Sequence, residues 1–122
     1  MTQYSIRKTV DDDFLLICGK VPQDFTIKKW TVLCDGEVAC VATLIKVEEL
    51  CILNSDFNSN MTHSAISVFR ISCYIVEEAL KYAKDIIAYG DVKPSKYLQK
   101  LGFNFLRVHE DVPVGIYVYG RV

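Results

Sequence analysis

The chain has 122 residues, half of them apolar and a quarter charged, with a formal net charge of −1. That length and balance suit a single domain over 1–122 that buries its own core without disulfides or a metal, and they exclude a disordered or fibrous chain. The charge leaves no basic footprint for nucleic acid: Arg7-Lys8 and Lys28-Lys29 are the only adjacent basic pairs, and aromatic residues interleave neither.

Tyr4 to Val10 reads as a strand. Asp11-Asp12-Asp13 then opens a short helix, because acidic residues cap and complement a helix N-terminus. Phe14, Leu15, Ile17 and Cys18 give it an apolar face, and Gly19 and Pro22 end it. Trp30 to Leu44 is a hairpin turning at Asp35-Gly36, since a two-residue turn of this type asks for positive φ at both positions. Leu50 to Phe57 is a further strand. Ser64 to Ala83 is the longest helix, with Ala65, Phe69, Ser72, Val76, Ala79 and Ala83 at three- and four-residue steps, and Thr62 or Ser64 able to cap it. Asp85 to Tyr89 is a buried strand. Pro94 to Leu101 is a short helix with the proline in its first turn and Gly102 ending it. Phe103 to Val108 and Gly115 to Tyr119 are the last two strands. The order alone predicts a mixed α/β fold with a mostly antiparallel sheet and one crossover helix.

Cys18, Cys34, Cys40, Cys51 and Cys73 are odd in number, scattered, and never spaced as C-x-x-C. They read as free thiols in a reducing compartment, and neither His63 nor His109 sits close enough in sequence to suggest a metal. No basic segment followed by an apolar run marks a signal peptide, and no stretch is apolar enough to span a membrane. The expected setting is therefore intracellular.

The segment Gly90 to Phe103, and within it Tyr97-Leu98-Gln99-Lys100-Leu101-Gly102-Phe103, resembles the corresponding stretch of the GNAT (N-acetyltransferase) superfamily. The Ile6-Arg7 strand followed by Asp12-Asp13, and the Asp35-Gly36 hairpin, resemble that family's opening. The resemblance implies a GNAT-like, mixed, mostly antiparallel twisted sheet with a long crossover helix and a C-terminal β-hairpin. A narrower likeness runs through Leu53-Asn54-Ser55-Asp56, Phe69-Arg70 and Tyr97 to Phe105, which look like small GNAT-like virion-associated proteins of short-tailed bacteriophages. It implies a host-cytoplasmic protein that can enter the virion and works on a virion or host protein partner.

Two departures from the family stand out. Its members hold the pyrophosphate of coenzyme A in a glycine-rich, Arg- or Gln-led loop before the long helix, where close backbone approach and free N–H groups meet the anion. Here Asp56 to Ala65 holds no Gly, Arg or Lys. What remains is polar: Asn58, Asn60, Thr62 and Ser64 are the candidate cofactor-binding residues, with Asn58 or Asn60 able to adopt a left-handed conformation. The family's general-acid tyrosine falls on Leu98. Tyr97, one step away, should face elsewhere, because helical neighbours are about 100° apart. The Asn that the family places before this helix is Asp91.

These departures point to a catalytically inactive structural or interaction protein with no cofactor. The alternative is an acetyl-CoA-dependent N-acetyltransferase with an atypical loop, using Asp56 or Glu49 as base. Each has a plainer reading. Asp56 can serve as a helix cap, Glu48 and Glu49 as a solvated pair, His63 as a surface histidine, and Cys73 as a core thiol. The gap between the fourth and fifth strands discriminates: filled by Phe57, Tyr89 or Met61 it would weaken the enzyme reading, and open with converging N–H groups it would restore it.

Overall fold

The computed structural model describes residues 3–19, 26–48 and 50–120. Its elements follow the predicted order: β1 (Tyr4–Lys8), α1 (Asp11–Cys18), β2 (Thr26–Cys34), β3 (Glu37–Val47), β4 (Leu50–Phe57), α2 (Ala65–Leu80), β5 (Ile86–Gly90), α3 (Lys96–Leu101), β6 (Phe103–Val108) and β7 (Gly115–Tyr119). One seven-stranded sheet runs β1-β2-β3-β4-β5-β7-β6. Every pairing is antiparallel except β4 with β5, the pair that α2 connects. A parallel pair needs such a crossover, and a helix of 16 residues supplies it.

The sheet separates two layers. Alternation along β2 turns Trp30 and Val32 toward α2 and Thr31 toward α1. Val32, Leu44, Ile71, Ile75, Ile86 and Phe103 build the core between sheet and α2. The β2–β3 turn is as predicted, with Asp35 at φ 51° and Gly36 at φ 84°.

Three local expectations change. The acidic run lies at the N-terminus of α1 as expected, but no Asp is the cap residue: Val10 holds that position and Asp11, Asp12 and Asp13 fill the first turn. Asp13 instead accepts from the Val10 N–H at 3.1 Å and binds Arg7 through two bonds of 2.7 and 3.0 Å. Pro94 lies one residue before the cap of α3, because the Ser95 hydroxyl accepts from the Leu98 N–H and sets the helix start at Lys96. The helix α2 stops at Leu80, and Lys81 to Ala83 continue as a turn bonded back to Glu78 and Ala79. Pro22, expected to end α1, lies outside the described residues.

Candidate functional site

The parallel ladder between β4 and β5 is short. It joins Cys51 to Ile86 and Ile52 to Ile87, and ends there. Beyond it the strands part. Leu53 to Phe57 keep β3 on one side, and Ala88 to Gly90 keep β7, but the edges facing each other have no ladder partner. Unpaired backbone inside a sheet needs water or a ligand. The opening holds a cavity of about 310 Å³ lined by Leu53, Asn54, Ser55, Tyr89, Gly90 and Leu98, among others. Neither Phe57 nor Met61 lines it, and Tyr89 borders it with its ring half exposed. The gap is open.

The loop from β5 to α3 closes one end. The fully buried Tyr117 shares its hydroxyl between the carbonyls of Asp91 (2.9 Å) and Lys93 (2.7 Å). Gly90 lets α3 approach: a Cβ there would lie 2.7 Å from Leu98 Cδ1.

Tyr97 corrects an expectation. Leu98 does line the cleft, but Tyr97 is not turned away; it borders the cleft and its hydroxyl reaches across to hydrogen-bond Ser72 of α2. Burial pushes the Tyr97 phenol up, with the Ser72 bond acting against that shift. A six-residue helix puts Tyr97 and Leu98 on different sides, yet a tyrosine is long enough to span from α3 to α2.

The loop before α2 is tied by its own polar groups. Asn58 is buried. Its N–H donates to the Ala39 carbonyl (2.8 Å) and its amide Nδ2 to the Val38 carbonyl (2.9 Å), while Oδ1 accepts from the Asn60 N–H (3.0 Å). The Asn58 carbonyl takes the Met61 N–H (3.2 Å) and lies 3.0 Å from His63 Nε2, so that ring nitrogen carries the proton. His63 also meets the Phe57 ring edge-on at 5.3 Å. Ser64 caps α2 by accepting from the Ser67 N–H at 3.1 Å. Thr62 is exposed. Neither Asn58 nor Asn60 is left-handed; among the described non-glycine residues only Asp35 and Glu48 have positive φ. The asparagine side chain closes the turn instead, so the backbone does not need that conformation. The first-turn N–H groups of Ala65 and Ile66 have no intrahelical acceptor.

The structure places Asp56 outside the cleft. Asp56 is an exposed residue within β4, opposite Val41 in register, and not a cap of α2. It accepts from Cys18 Sγ of α1 at 3.5 Å, which places it on the α1 side of the sheet. Glu49 lies outside the described residues. Cys73 is not the expected core thiol but a partly exposed residue on the outward side of α2, where partial burial raises its thiol; burial pushes the fully buried Cys40 up to about 12. Among the described residues no cluster of His, Cys, Asp and Glu has metal-ligand spacing, and no helix is long and apolar enough to cross a membrane.

A second surface adjoins the cleft. The face of α2 turned away from the sheet carries Ile66, Phe69, Cys73 and Tyr74, and with Tyr97 they line a groove of about 770 Å³ whose only charges are Arg70, Glu77 and Lys100. Ile66 is 68% exposed and Tyr74 42%. Sequence reasoning missed this groove, although the signal was there: α2 has only three charged residues in 16 and is apolar nearly all round.

No protein-family model and no curated protein matches the sequence. Solved structures do match in three dimensions. An uncharacterized protein of Bacillus halodurans aligns with a TM-score of 0.67 at 11% identity, over 96% of this chain and 83% of that one. An N-acetyltransferase of Staphylococcus aureus aligns with a TM-score of 0.60 at 14% identity, over 96% of both chains. Escherichia coli ElaA aligns with a TM-score of 0.59 at 11% identity, over 98% of this chain and 99% of that one. The fold is GNAT-like. At such identities the likeness concerns the GNAT architecture alone, and function has to be argued from the site.

Proposed function

We propose that this chain is a binding protein that keeps the GNAT-like fold and docks a protein partner, without transferring an acetyl group. The observation that carries this reading is the outward face of α2. That face shows Ile66 and Tyr74 to solvent beside the charged Arg70 and Glu77, and no described element covers them; an exposed apolar patch rimmed by charge marks an interaction surface. The aromatic and aliphatic side chains there are of the kind that anchor protein interfaces. The state of the loop at Asn58 to Ser64 supports the same reading. Coenzyme A fits this site only in part: the open cleft suits an extended amide-bearing arm, but the loop offers a pyrophosphate no Gly, Arg or Lys, and Asn58 and Ser64 are spent on the loop and the cap. The partner's placement, in a bacteriophage virion or its host, rests on the resemblance of Leu53 to Asp56, Phe69-Arg70 and Tyr97 to Phe105.

A photo-crosslinking residue at Ile66 tests the reading in the producing cells. One discrete adduct is expected from position 66 and none from the exposed Lys46, with the fold unchanged. Equal labelling from both positions would remove the support for a docking face.

The open cleft favours a second reading, an acetyl-CoA-dependent N-acetyltransferase with an atypical loop. Its support is the pair of unpaired strand edges around about 310 Å³.

A further inference from the structure

The two dibasic pairs, 20 residues apart in sequence, meet in space. The antiparallel register sets Lys8 opposite Trp30 and Arg7 opposite Thr31. This brings Arg7, Lys8, Lys28 and Lys29 around one cavity of about 560 Å³ at the corner formed by β1, β2 and the end of α2, with Trp30 and Tyr82 in its wall. The site lies away from the β4–β5 cleft and is independent of the proposed function.

Its charge is lopsided. Among the described residues the ion pairs are Arg7 with Asp13 and Lys81 with Glu78, so Arg7 and the one lining carboxylate, Glu78, are already neutralised. Among the described residues, Lys8, Lys28 and Lys29 have no carboxylate within ion-pair distance. Lys28 Nζ sits 4.7 Å above the Tyr82 ring, and Lys29 Nζ 5.7 Å from the Phe14 ring on the other face. The carbonyl end of α2 points here and offsets part of this charge. Lys8 and Lys28, on the face of the sheet that carries Trp30 and Tyr82, still leave a cationic surplus around a concave, aromatic-walled space in a chain whose net charge is −1. Tyr82 is 49% exposed and 6.1 Å from Trp30 between ring centroids, and the ring face that Lys28 Nζ now covers is laid open when that side chain turns to a phosphate.

We propose that this corner is a binding site for a phosphate-bearing ligand with a planar ring, a nucleoside polyphosphate being the matching chemistry. Lys8 and Lys28 meet the phosphates, and Tyr82 stacks on the ring. Phosphates alone would find the charge but not the ring surface.

Trp30 is the sole tryptophan, so its emission reports on this corner. Titration of the full chain with ATP is expected to change Trp30 fluorescence saturably, and ATP should bind several-fold more tightly than tripolyphosphate. Replacing both exposed lysines (Lys8→Ala with Lys28→Ala) should raise the ATP Kd by about tenfold or more with the melting temperature nearly unchanged. The proposal is overturned by no saturable change up to about 10 mM ATP, by equal affinity for tripolyphosphate, or by an ATP Kd that the double substitution leaves alone.

Discussion

Asp13→Ala is expected to cost about 3 kcal/mol of stability and to lower the melting temperature by roughly 10 °C. The carboxylate has 6% of its side-chain surface exposed and holds three elements together. It takes two bonds from Arg7 on β1, one of 2.7 Å from Thr31 on β2, and the Val10 N–H at the start of its own helix. Removing it takes the charged acceptor away from the fully buried Thr31 hydroxyl, which keeps only Thr9, and from the Val10 N–H and the guanidinium. The same bonds hold the Asp13 carboxyl down at about 2, the Arg7 hydrogen bond first among the causes, with burial acting in the opposite sense. A depressed carboxyl contributes stability above its unfolded value, near 3.8, and loses it as pH falls through about 2. The contribution at neutral pH is about 2 kcal/mol by linkage. Urea titrations at pH 7 and pH 2.5 measure both effects: the wild-type advantage over Asp13→Ala should shrink at the lower pH. A substitution costing under about 1 kcal/mol, or a pH-independent difference, would contradict this account.

Gly115→Ala is expected to cost a further class of stability, about 2–4 kcal/mol, by overpacking. A Cβ at that position would stand 2.2 Å from the Asp91 carbonyl oxygen, 2.9 Å from Phe105 Cε2 and 3.1 Å from Tyr117 Cε1. Two of these are ring atoms packed in the sheet. The third is backbone held by the Tyr117 hydroxyl, so none yields cheaply. Relief would move the Asp91 loop, which borders the β4–β5 cleft. Gly36→Ala makes a useful contrast. Nothing lies within 4 Å of a Cβ there, and only its φ of +84° penalises a side chain, at a cost of about 1 kcal/mol. Chemical denaturation should rank Gly115→Ala well below Gly36→Ala in stability, and the reverse order would show that the strands at Gly115 have room to relax.

Much of the fold was readable because local chemistry demanded it. Asp35-Gly36 can hardly be anything but a tight hairpin turn, and Gly102, at φ 106°, ends α3 where the sequence placed the stop. The bounds of β4, β6 and β7 agree with their apolar runs. Errors came where a distant partner outbid a local preference. An Asp of the 11–13 run reads as the cap of α1, but Val10 takes that position, and Asp13, from inside the first turn, joins the Val10 N–H to Arg7 and Thr31. Asn58 reads as a phosphate-facing residue until the carbonyls of Val38 and Ala39, some 20 residues back in the chain, take its donors. The cleft depends on where the β4–β5 ladder stops, which no periodicity encodes, and the cationic corner depends on the register of β1 against β2.

A chain that docks a partner through α2, as proposed, has no need of acetyl-CoA. Calorimetric titration with acetyl-CoA, run beside a thermal-shift series, tests it most directly. Using both the wild type and the protein carrying Lys8→Ala with Lys28→Ala separates binding at the cleft from any attraction of the nucleotide part to the cationic corner. No binding heat and no stabilisation of the doubly substituted protein are expected at about 1 mM acetyl-CoA. Micromolar binding that survives the double substitution, with a clear rise in melting temperature, would contradict it and make the open cleft the seat of an acetyltransferase.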